Sequence, residues 1–363
     1  MRYNQMTGRF LIFSGHNDRA AIALCRYFEL AGLNFAIVGH PEGDIIQRSR
    51  YANHVVLIRT DLTVTRNLFE NTVKATHGEP LFYCPTTEFI NLQLLHNPEV
   101  ISDLPIKLFL PPVDVYDRLT NKASSTAFFG QEQGILVPRS YSFTQARAPC
   151  VFKPNENLFY GRILYPLICK TESELHTALK ECDQNMYTVQ EYIEGTSRYL
   201  CGFIDENDEA TCFWQRNLGQ QPGGKSIILA KEETALSQSL LELQDILLSK
   251  LTSITFQGPF MIEIRFNSFG GYFIEINPRF WGPLQLTLDV CPNILANFSS
   301  MFETSSRRFV PRNSKRPAFY LWREGMDATG MDALDEKETV VEALTNAQDW
   351  DVFSRKDFSD VRS

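Results

Sequence analysis

Short apolar runs alternate with helical patterns over the first third of the chain. Apolar runs at residues 10–13, 35–38, 54–58 and 80–83 have the length and composition of buried strands. Helical periodicity occupies the segments between and after them, at residues 18–31, 61–75 and 86–95. Because strands and helices alternate at this spacing, the sequence predicts a parallel, doubly wound sheet.

The pattern changes after Pro111-Pro112. A helix is predicted over 117–133, followed by a strand over 149–154 that ends near Lys153 and a polar loop over 155–161. A second strand at 163–169, a helix at 172–182 and a third strand at 188–193 complete this segment. The pattern predicts a small α+β unit, separate from the first sheet.

The remaining sequence predicts an antiparallel sheet. Strands are expected at 198–204 and 210–216, an amphipathic helix at 235–251, and a hairpin with arms at 260–267 and 272–277. A helix at 292–302 and a strand at 318–322 follow, and the tail from Glu324 is polar and acidic.

The hairpin carries the most informative polar pattern. Folding its arms about Phe269 brings Glu263 beside Glu275, with Asn277 on the same face as Glu275. Two carboxylates and an amide oxygen form an all-oxygen site, which suits Mg²⁺ better than zinc. A half-exposed hairpin whose polar face meets solvent is the structural alternative. Two adjacent like charges are unfavourable without a cation or a proton between them, so the pattern favours a metal–phosphate site.

Composition excludes several classes of function. The 363 residues carry a formal net charge of −8 and no Lys/Arg-rich run, which argues against a nucleic-acid partner. No apolar run reaches membrane-spanning length and no signal-peptide pattern is present, so a cytoplasmic protein without a membrane partner is expected. The eight cysteines lack any C-x-x-C pair and are predicted to be buried, reduced thiols. All six histidines lie at or before His176, which excludes a histidine-based zinc site near the hairpin.

The segment Ser14-Gly15-His16-Asn17 follows the first predicted strand, where a Rossmann fold binds pyrophosphate. The G-x-G-x-x-G fingerprint is absent, which disfavours a nicotinamide-dependent dehydrogenase. Two interpretations stay open: the segment faces a substrate, or it is a plain structural turn.

Taken in order, the parts at residues 10–300 resemble the ATP-grasp superfamily, at the branch of carboxylate–amine ligases related to carbamoyl-phosphate synthase and biotin carboxylase. The string Phe273-Ile274-Glu275-Ile276-Asn277-Pro278-Arg279 matches the family's metal-and-phosphate motif, and Glu263 stands at the upstream metal-ligand position. The resemblance implies a doubly wound pre-ATP-grasp α/β domain over residues 1–112. A two-part ATP-grasp fold with antiparallel sheets follows: an amino-terminal part with the lid over 113–193, and a catalytic part with a polar tail over 194–363.

The resemblance also implies roles for individual residues. An ATP site is expected from Lys122, Lys153, Gln190, Glu191, Tyr192, Ile193, Glu194 and Lys225. Glu263, Glu275 and Asn277 are expected to bind Mg²⁺, with Mn²⁺ as the alternative metal. Arg279 and Arg265 are the expected catalytic residues: both are candidates for holding the substrate carboxylate, and Arg279 for stabilising charge on the transferred phosphoryl group.

Two positions depart from the family pattern. The loop at 155–162 contains only Gly161, where relatives often carry a glycine-rich flap, so either backbone binding of phosphate is weaker or Asn155 and Asn157 supply side-chain donors. Gly195 is followed by Thr196, Ser197 and Arg198 where many relatives carry an acid. The contact with ribose is therefore open between the two glutamates of the predicted hinge.

The activity implied by the resemblance is a two-step ligation through an acyl phosphate, which forms an amide or peptide bond and releases ADP and phosphate. The substrates are a small-molecule carboxylate and amine, and the stand-alone length of the chain favours an amino acid or a peptide. Two alternatives remain: a ligase acting on bicarbonate or a nucleotide-pathway carboxylate, and a nucleotide-binding module with weak or no catalysis. A homodimer is compatible with the resemblance.

Overall fold

The computed structural model describes residues 8–40, 43–61, 63–155, 158–159, 162–302, 318–334 and 336–359. Its first sheet is parallel, with strand order β3-β2-β1-β4-β5. The strands are β1 (Arg9–Phe13), β2 (Phe35–Gly39), β3 (Val55–Ile58), β4 (Leu81–Tyr83) and β5 (Ile106–Lys107). The helices are α1 (Asp18–Ala31), α2 (Arg66–Ala75) and α3 (Glu88–His96), with 3-10 turns at Ile45–Arg48, Arg50–His54 and Pro98–Val100.

This sheet confirms the predicted doubly wound unit. Because β1 lies between β2 and β4, the chain leaves the sheet on opposite sides after β1 and after β4. A crevice opens at such a switch point, at the carboxyl ends of the two strands. The helix expected over 61–75 begins only at Arg66, where the Thr65 side chain caps it, and β5 was not expected.

Two helices replace the single helix predicted over 117–133: α4 (Val113–Thr120) and α5 (Lys122–Gly130). Asn121 adopts an extended conformation, and its side chain accepts a hydrogen bond from the backbone N–H of Ser124, which caps α5. The break therefore places Lys122 in the first turn of a new helix. Phe129 of α5 stacks on Phe273 of the hairpin at 4.2 Å between ring centroids, so this segment packs on the later sheet.

A four-stranded antiparallel sheet, here called the lid sheet, has the order β10-β7-β11-β6. Its elements are β6 (Ser140–Tyr141), the 3-10 turn Phe143–Gln145, β7 (Cys150–Pro154), β10 (Leu167–Cys169), α6 (Glu172–Glu181) and β11 (Tyr187–Glu191). Two short strands, β8 (Leu158–Phe159) and β9 (Arg162–Ile163), pair with each other and lie between β7 and β10 in the chain. The strand predicted at 163–169 is therefore interrupted between β9 and β10. Asn157 and Gly161, which the flap prediction names, lie outside the described residues.

The largest sheet is antiparallel, with order β16-β15-β12-β13-β14-β17 and β18 paired to β13. Its strands are β12 (Thr196–Ile204), β13 (Ala210–Gln220), β14 (Ile227–Glu232), β15 (Gly258–Asn267), β16 (Gly270–Asn277), β17 (Phe319–Leu321) and β18 (Asp332–Ala333). The helices in this part are α7 (Gln238–Thr252), α8 (Leu284–Val290), α9 (Asn293–Ser300), α10 (Arg323–Thr329), α11 (Lys337–Thr345), α12 (Ala347–Trp350) and α13 (Lys356–Ser359).

Both faces of the large sheet are covered. Leucines of α7 join residues of α4 and α5 against one face, through Ile262, Ile264 and Phe273. Helices α8 and α9 cover the opposite face together with α1 of the first domain. The fold thus combines the parallel sheet and the two antiparallel sheets that were predicted. The boundaries at 112/113 and 193/194 stay predictions.

The tail from Glu324 is not a plain polar extension. Val340 and Ala343 lie three residues apart on α11, and both are buried together with Ala347 of α12 against β14 and β17. Near the end of the chain, Asp357 accepts hydrogen bonds from the buried Arg26 of α1 at 2.9–3.2 Å. The tail therefore ties the first domain to the large sheet. Among the described helices, none is long and apolar enough to cross a membrane.

Candidate active site

The β15–β16 hairpin sets the register of the charged residues. A two-residue turn at Ser268-Phe269 pairs Asn267 with Gly270, and the ladder then continues regularly to Ile264 opposite Phe273. One extra residue follows on β16, after which Glu263 lies opposite Glu275. The register therefore agrees with the pairing that the sequence predicted about Phe269.

The extra residue is Ile274, and its backbone has a specific partner. The Lys153 ammonium donates a hydrogen bond to the Ile274 carbonyl at 2.8 Å. The bulge also lets Phe273 and Ile276 both face the hydrophobic core, although they are three residues apart. Because Lys153 lies near the end of β7, this hydrogen bond joins the lid sheet to the large sheet at the centre of the site.

Glu263 is buried and has two polar neighbours. Its Oε1 accepts a hydrogen bond from the Ser197 hydroxyl at 3.0 Å and lies 3.6 Å from Nε of Arg265. The Asn217 amide donates to the Ser197 hydroxyl at 2.8 Å and so fixes its orientation. Burial raises the pKa of Glu263, and the charge of Glu275 adds to this, while Arg265 acts in the opposite direction.

Glu275 is held ionised by its surroundings. Burial by itself would raise its pKa, but the nearby ammonium groups of Lys122 and Lys153 hold the pKa of Glu275 well below its ordinary value. Lys122 Nζ lies 3.3 Å from Oε2, and the Asn277 amide donates to Oε1 at 3.0 Å. The two carboxylates of the hairpin are thus driven apart in pKa, as in other paired acids in low dielectric.

The two lysines also differ. Burial opposes the charge of Lys122, but Glu275 and then Glu88 outweigh it, so the pKa of Lys122 is raised. Burial lowers the pKa of Lys153 to about 8, and the charge of Lys122 contributes to this depression although Glu275 opposes it. Lys153 is therefore a buried cation whose charge is only partly compensated.

Arg279 extends the row of charges beyond the strand. Its guanidinium donates to the Asn277 side-chain oxygen and to the Phe280 carbonyl, each at 3.0 Å. Its Nε is buried and has no hydrogen-bond partner among the residues that the structure describes. Asn277 thus donates to Glu275 and accepts from Arg279, which orients its amide between them.

The donor set of the hairpin fits a hard divalent cation. No group of three or more His, Cys, Asp and Glu side chains in the described part of the chain is placed to hold a metal. Glu263, Glu275 and Asn277 nevertheless offer oxygen ligands on one face, and two of them are carboxylates in directly opposed positions, with Glu263 buried and Glu275 half-buried. Mg²⁺ commonly completes such a partial set with water and phosphate oxygens.

A cavity of about 850 Å³ lies between the lid sheet, the large sheet and the carboxyl ends of the first sheet. Twelve of the thirteen site residues named from the sequence line it: Lys122, Lys153, Gln190, Glu191, Tyr192, Ile193, Lys225, Glu263, Arg265, Glu275, Asn277 and Arg279. Residues separated by more than 150 positions in the sequence therefore meet in one space.

Comparison with known proteins bears on the fold. No protein-family model matches the chain, and no curated protein matches it in sequence. Biotin carboxylase from Campylobacter jejuni, solved with β-γ-ATP, superposes with a TM-score of 0.62 at 13% identity, over 84% of this chain and 73% of that chain. The chain has the ATP-grasp fold.

Two further structures share this ATP-grasp fold. The biotin carboxylase domain of Hydrogenobacter thermophilus 2-oxoglutarate carboxylase, solved with MgADP, ADP and bicarbonate, has a TM-score of 0.62 at 13% identity and covers 86% of this chain and 73% of its own. N5-carboxyaminoimidazole synthase from Aspergillus clavatus, solved with ADP and 5-aminoimidazole ribonucleotide, has a TM-score of 0.60 at 11% identity, with coverages of 87% and 82%.

Two of the sequence-based expectations need correction in this ATP-grasp structure. Glu194 is exposed and does not line the cavity; only its backbone carbonyl is engaged, by the Asn267 amide at 3.4 Å. Asn155 lines the cavity, but its amide donates to Asn185 and accepts from Thr188. Glu191 is therefore the better placed of the two hinge acids, and Asn155 has its polar atoms engaged within the protein.

The sequence left open whether the first domain contributes to the cavity. His16 and Asn17 follow β1, and Thr86, Thr87 and Glu88 follow β4; all five line the cavity. They meet because β1 and β4 are neighbours at the switch point of the sheet. The available signal was the position of polar residues after two predicted strands, and of the two interpretations of the segment after β1, the structure favours the one that faces the cavity.

Proposed function

We propose that this protein is an ATP-dependent carboxylate–amine ligase that forms an amide or peptide bond through an acyl phosphate. The observation that carries the proposal is the meeting of two buried lysines and an arginine with a pair of opposed carboxylates in one cavity. Lys122, Lys153 and Arg279 line the same space as Glu263 and Glu275. Such a constellation suits the binding of a triphosphate and the stabilisation of a transferred phosphoryl group.

The nucleotide would lie between the lid sheet and the large sheet. Gln190 to Ile193 would contact the base, Glu191 the ribose, and Lys122, Lys153 and Lys225 the phosphates. The Gln190 side-chain oxygen is buried and has no hydrogen-bond partner among the described residues, which supports a ligand at the hinge. Nucleotides in the structures of three proteins with this fold add support.

The metal would be held by Glu263, Glu275 and Asn277, as Mg²⁺ or as Mn²⁺ in its place. When bound, it would neutralise part of the charge of the triphosphate. A cation at this pair would offset the repulsion between the two opposed carboxylates.

The chemistry needs no protein nucleophile. A carboxylate oxygen of the substrate attacks the γ-phosphorus, and the bond to the ADP oxygen breaks. The amine nitrogen then attacks the acyl carbon, phosphate leaves with the bonding electron pair, and the amine loses a proton. Arg279 and Arg265 would hold the carboxylate and stabilise the charge that develops on both steps. The lid sheet would exclude water from the acyl phosphate.

The identity of the substrates separates the proposed activity from that of a ligase acting on bicarbonate or a nucleotide-pathway carboxylate. Bicarbonate is present in the Hydrogenobacter structure and 5-aminoimidazole ribonucleotide in the Aspergillus structure, so proteins of this fold bind quite different small molecules. An amino acid or peptide is the substrate class we propose here, with bicarbonate or a nucleotide-pathway carboxylate as the second candidate.

Product analysis tests the proposal. The protein is incubated with Mg-ATP and pools of amino acids, or with bicarbonate and 5-aminoimidazole ribonucleotide, and nucleotides are separated by chromatography. ADP and phosphate, formed only when both a carboxylate and an amine are present, are expected. AMP and pyrophosphate would contradict an acyl phosphate, and tight ATP binding without turnover in any pool would favour the non-catalytic module.

Sedimentation of the same sample tests whether the protein is a homodimer, which is compatible with the resemblance to the ATP-grasp superfamily.

A further inference from the structure

Three segments line the part of the cavity at the carboxyl ends of the first sheet. They contribute His16 and Asn17 after β1, Thr86 to Glu88 after β4, and Arg279 and Trp281 after β16; we call this part of the cavity the amino-terminal recess. Hydrogen bonds connect these three segments. The Asn17 amide donates to the Thr86 carbonyl at 3.0 Å and to the Phe280 carbonyl at 3.3 Å, and the Phe280 N–H donates to the Pro85 carbonyl at 2.8 Å.

Several buried polar atoms of this recess have no hydrogen-bond partner within the part of the chain that the structure describes. They are Asn17 Oδ1, Thr86 Oγ1, Thr87 Oγ1, His16 Nε2, Arg279 Nε and Trp281 Nε1. Asn17, Thr86 and Trp281 are more than nine-tenths buried. Buried polar groups are almost always satisfied in folded proteins, because leaving them unpaired costs stability. Six such atoms on the wall of one recess indicate a ligand that satisfies them.

The donor and acceptor pattern restricts the ligand. Both protons of the Asn17 amide are directed at backbone carbonyls, so its oxygen is the atom left to accept from a ligand. Arg279 Nε and Trp281 Nε1 are donors only. Glu88 adds a negative charge to the lining of the recess, and that charge raises the pKa of Lys122 nearby. The recess therefore offers donors suited to an anionic group, and an amide oxygen and a carboxylate suited to a cationic one.

We propose that the amino-terminal recess binds a free α-amino acid, with its carboxylate at Arg279 and Trp281 and its ammonium group at Asn17 and Glu88. This inference rests on the proposed ligase activity and names the substrate class of that site. The edge-to-face contact of His16 with Phe89, at 4.6 Å between ring centroids, provides an apolar wall for a side chain. Burial lowers the pKa of His16 to about 3, so the imidazole is neutral and does not repel an ammonium group.

Binding can be measured without turnover. Isothermal titration calorimetry of the protein saturated with Mg-ADP uses each of the twenty L-amino acids, with propionate, ethylamine and bicarbonate as probes of one charge. At least one amino acid is expected to bind, and propionate and ethylamine about tenfold or more weaker, because each loses a charged hydrogen bond. Binding of propionate or bicarbonate as tight as that of every amino acid would overturn the inference.

Two isosteric variants test the unpartnered atoms directly. Thr86→Val removes one buried, unpartnered hydroxyl, and Thr287→Val removes another that lies in α8 outside the cavity. Neither variant loses a hydrogen bond within the protein, so neither should lower the melting temperature. Thr86→Val is expected to weaken amino-acid binding about tenfold, while Thr287→Val leaves it unchanged.

Equal binding by the two variants would overturn the inference, even if the enzyme forms ADP. Trp281→Phe provides a second test, since it removes one donor and keeps an aromatic ring in place. Failure of the proposed function has a different signature: no pair of substrates yields ADP. If turnover occurs with bicarbonate alone as the carboxylate and Thr86→Val leaves its KM unchanged, the ligase proposal stands and the amino-acid inference falls.

Discussion

Lys153 provides a pH-dependent prediction for nucleotide binding. Burial lowers the pKa of Lys153 to about 8 in the free protein, where its ammonium donates to the Ile274 carbonyl. A phosphate placed beside it would favour the charged form and return the pKa toward its ordinary value near 10.4. Binding should therefore take up a proton at a pH where Lys153 is partly neutral.

The size of the effect follows from the pKa of about 8. The protonated fraction of such a group falls from about 90% at pH 7 to about 10% at pH 9. If ADP binds the charged form, its affinity should fall about tenfold over this interval, or about 1.4 kcal/mol. About half a proton should be taken up on binding at pH 8. The sign is fixed: affinity is highest at low pH and falls as pH rises.

Calorimetry of ADP binding in EDTA, in buffers of different ionisation enthalpy, measures the affinity and the proton uptake together. EDTA keeps Glu263 and Glu275 free of metal, and a phosphate with a second pKa of about 6 is about 90% ionised at pH 7 and more so above it. Lys153→Arg keeps its charge through pH 9 and should lose the pH dependence. Lys225→Met, which alters another lysine of the cavity, should weaken binding but keep the slope. If the affinity of the wild-type protein for ADP is constant from pH 7 to 9, the charge of Lys153 does not control nucleotide binding.

Two further changes test the site and the fold. Glu275→Gln removes a metal ligand and the counter-charge of Lys122, and ADP release should fall by a factor of about 100 or more; Glu206→Gln, in the exposed β12–β13 turn, should not change it. Asp357→Ala leaves the buried Arg26 unpaired and should lower the free energy of unfolding in urea by about 3–5 kcal/mol. Glu70→Ala, which breaks an exposed pair within α2, should cost less than about 1 kcal/mol. Equal losses for Asp357→Ala and Glu70→Ala would contradict the stabilising role of the tail.

The sequence predicted the elements that carry strong local patterns. Apolar runs predict strands β1, β2 and β4, and the spacing of leucines predicts helix α7. The hairpin is the clearest case, since its alternation and turn residues place Glu263 opposite Glu275. Elements with weak local patterns were not predicted. Strand β5 is only two residues long, and α11 has a narrow apolar face within a polar segment.

The bulge in β16 is a feature that the local sequence pattern does not predict. Alternation on this strand is broken by Ile274, and the sequence does not say which residue bulges, because that depends on the core accepting both Phe273 and Ile276. The bulge in turn directs a carbonyl to Lys153, more than a hundred residues away in sequence. A hydrogen bond of this kind exists only after two sheets have packed.

From the sequence alone, both kinds of sheet, parallel and antiparallel, and the row of charged residues on the hairpin could be predicted. Residue types and their spacing are enough for this, because strands alternate with a period of two. The tertiary structure was needed to show which residues share the cavity and that Glu194 lies outside it. It also showed that the ends of β1 and β4 contribute Asn17 and Thr86 to the wall of the cavity. Those facts depend on the order of strands in a sheet and on the packing of distant segments, which no local pattern encodes.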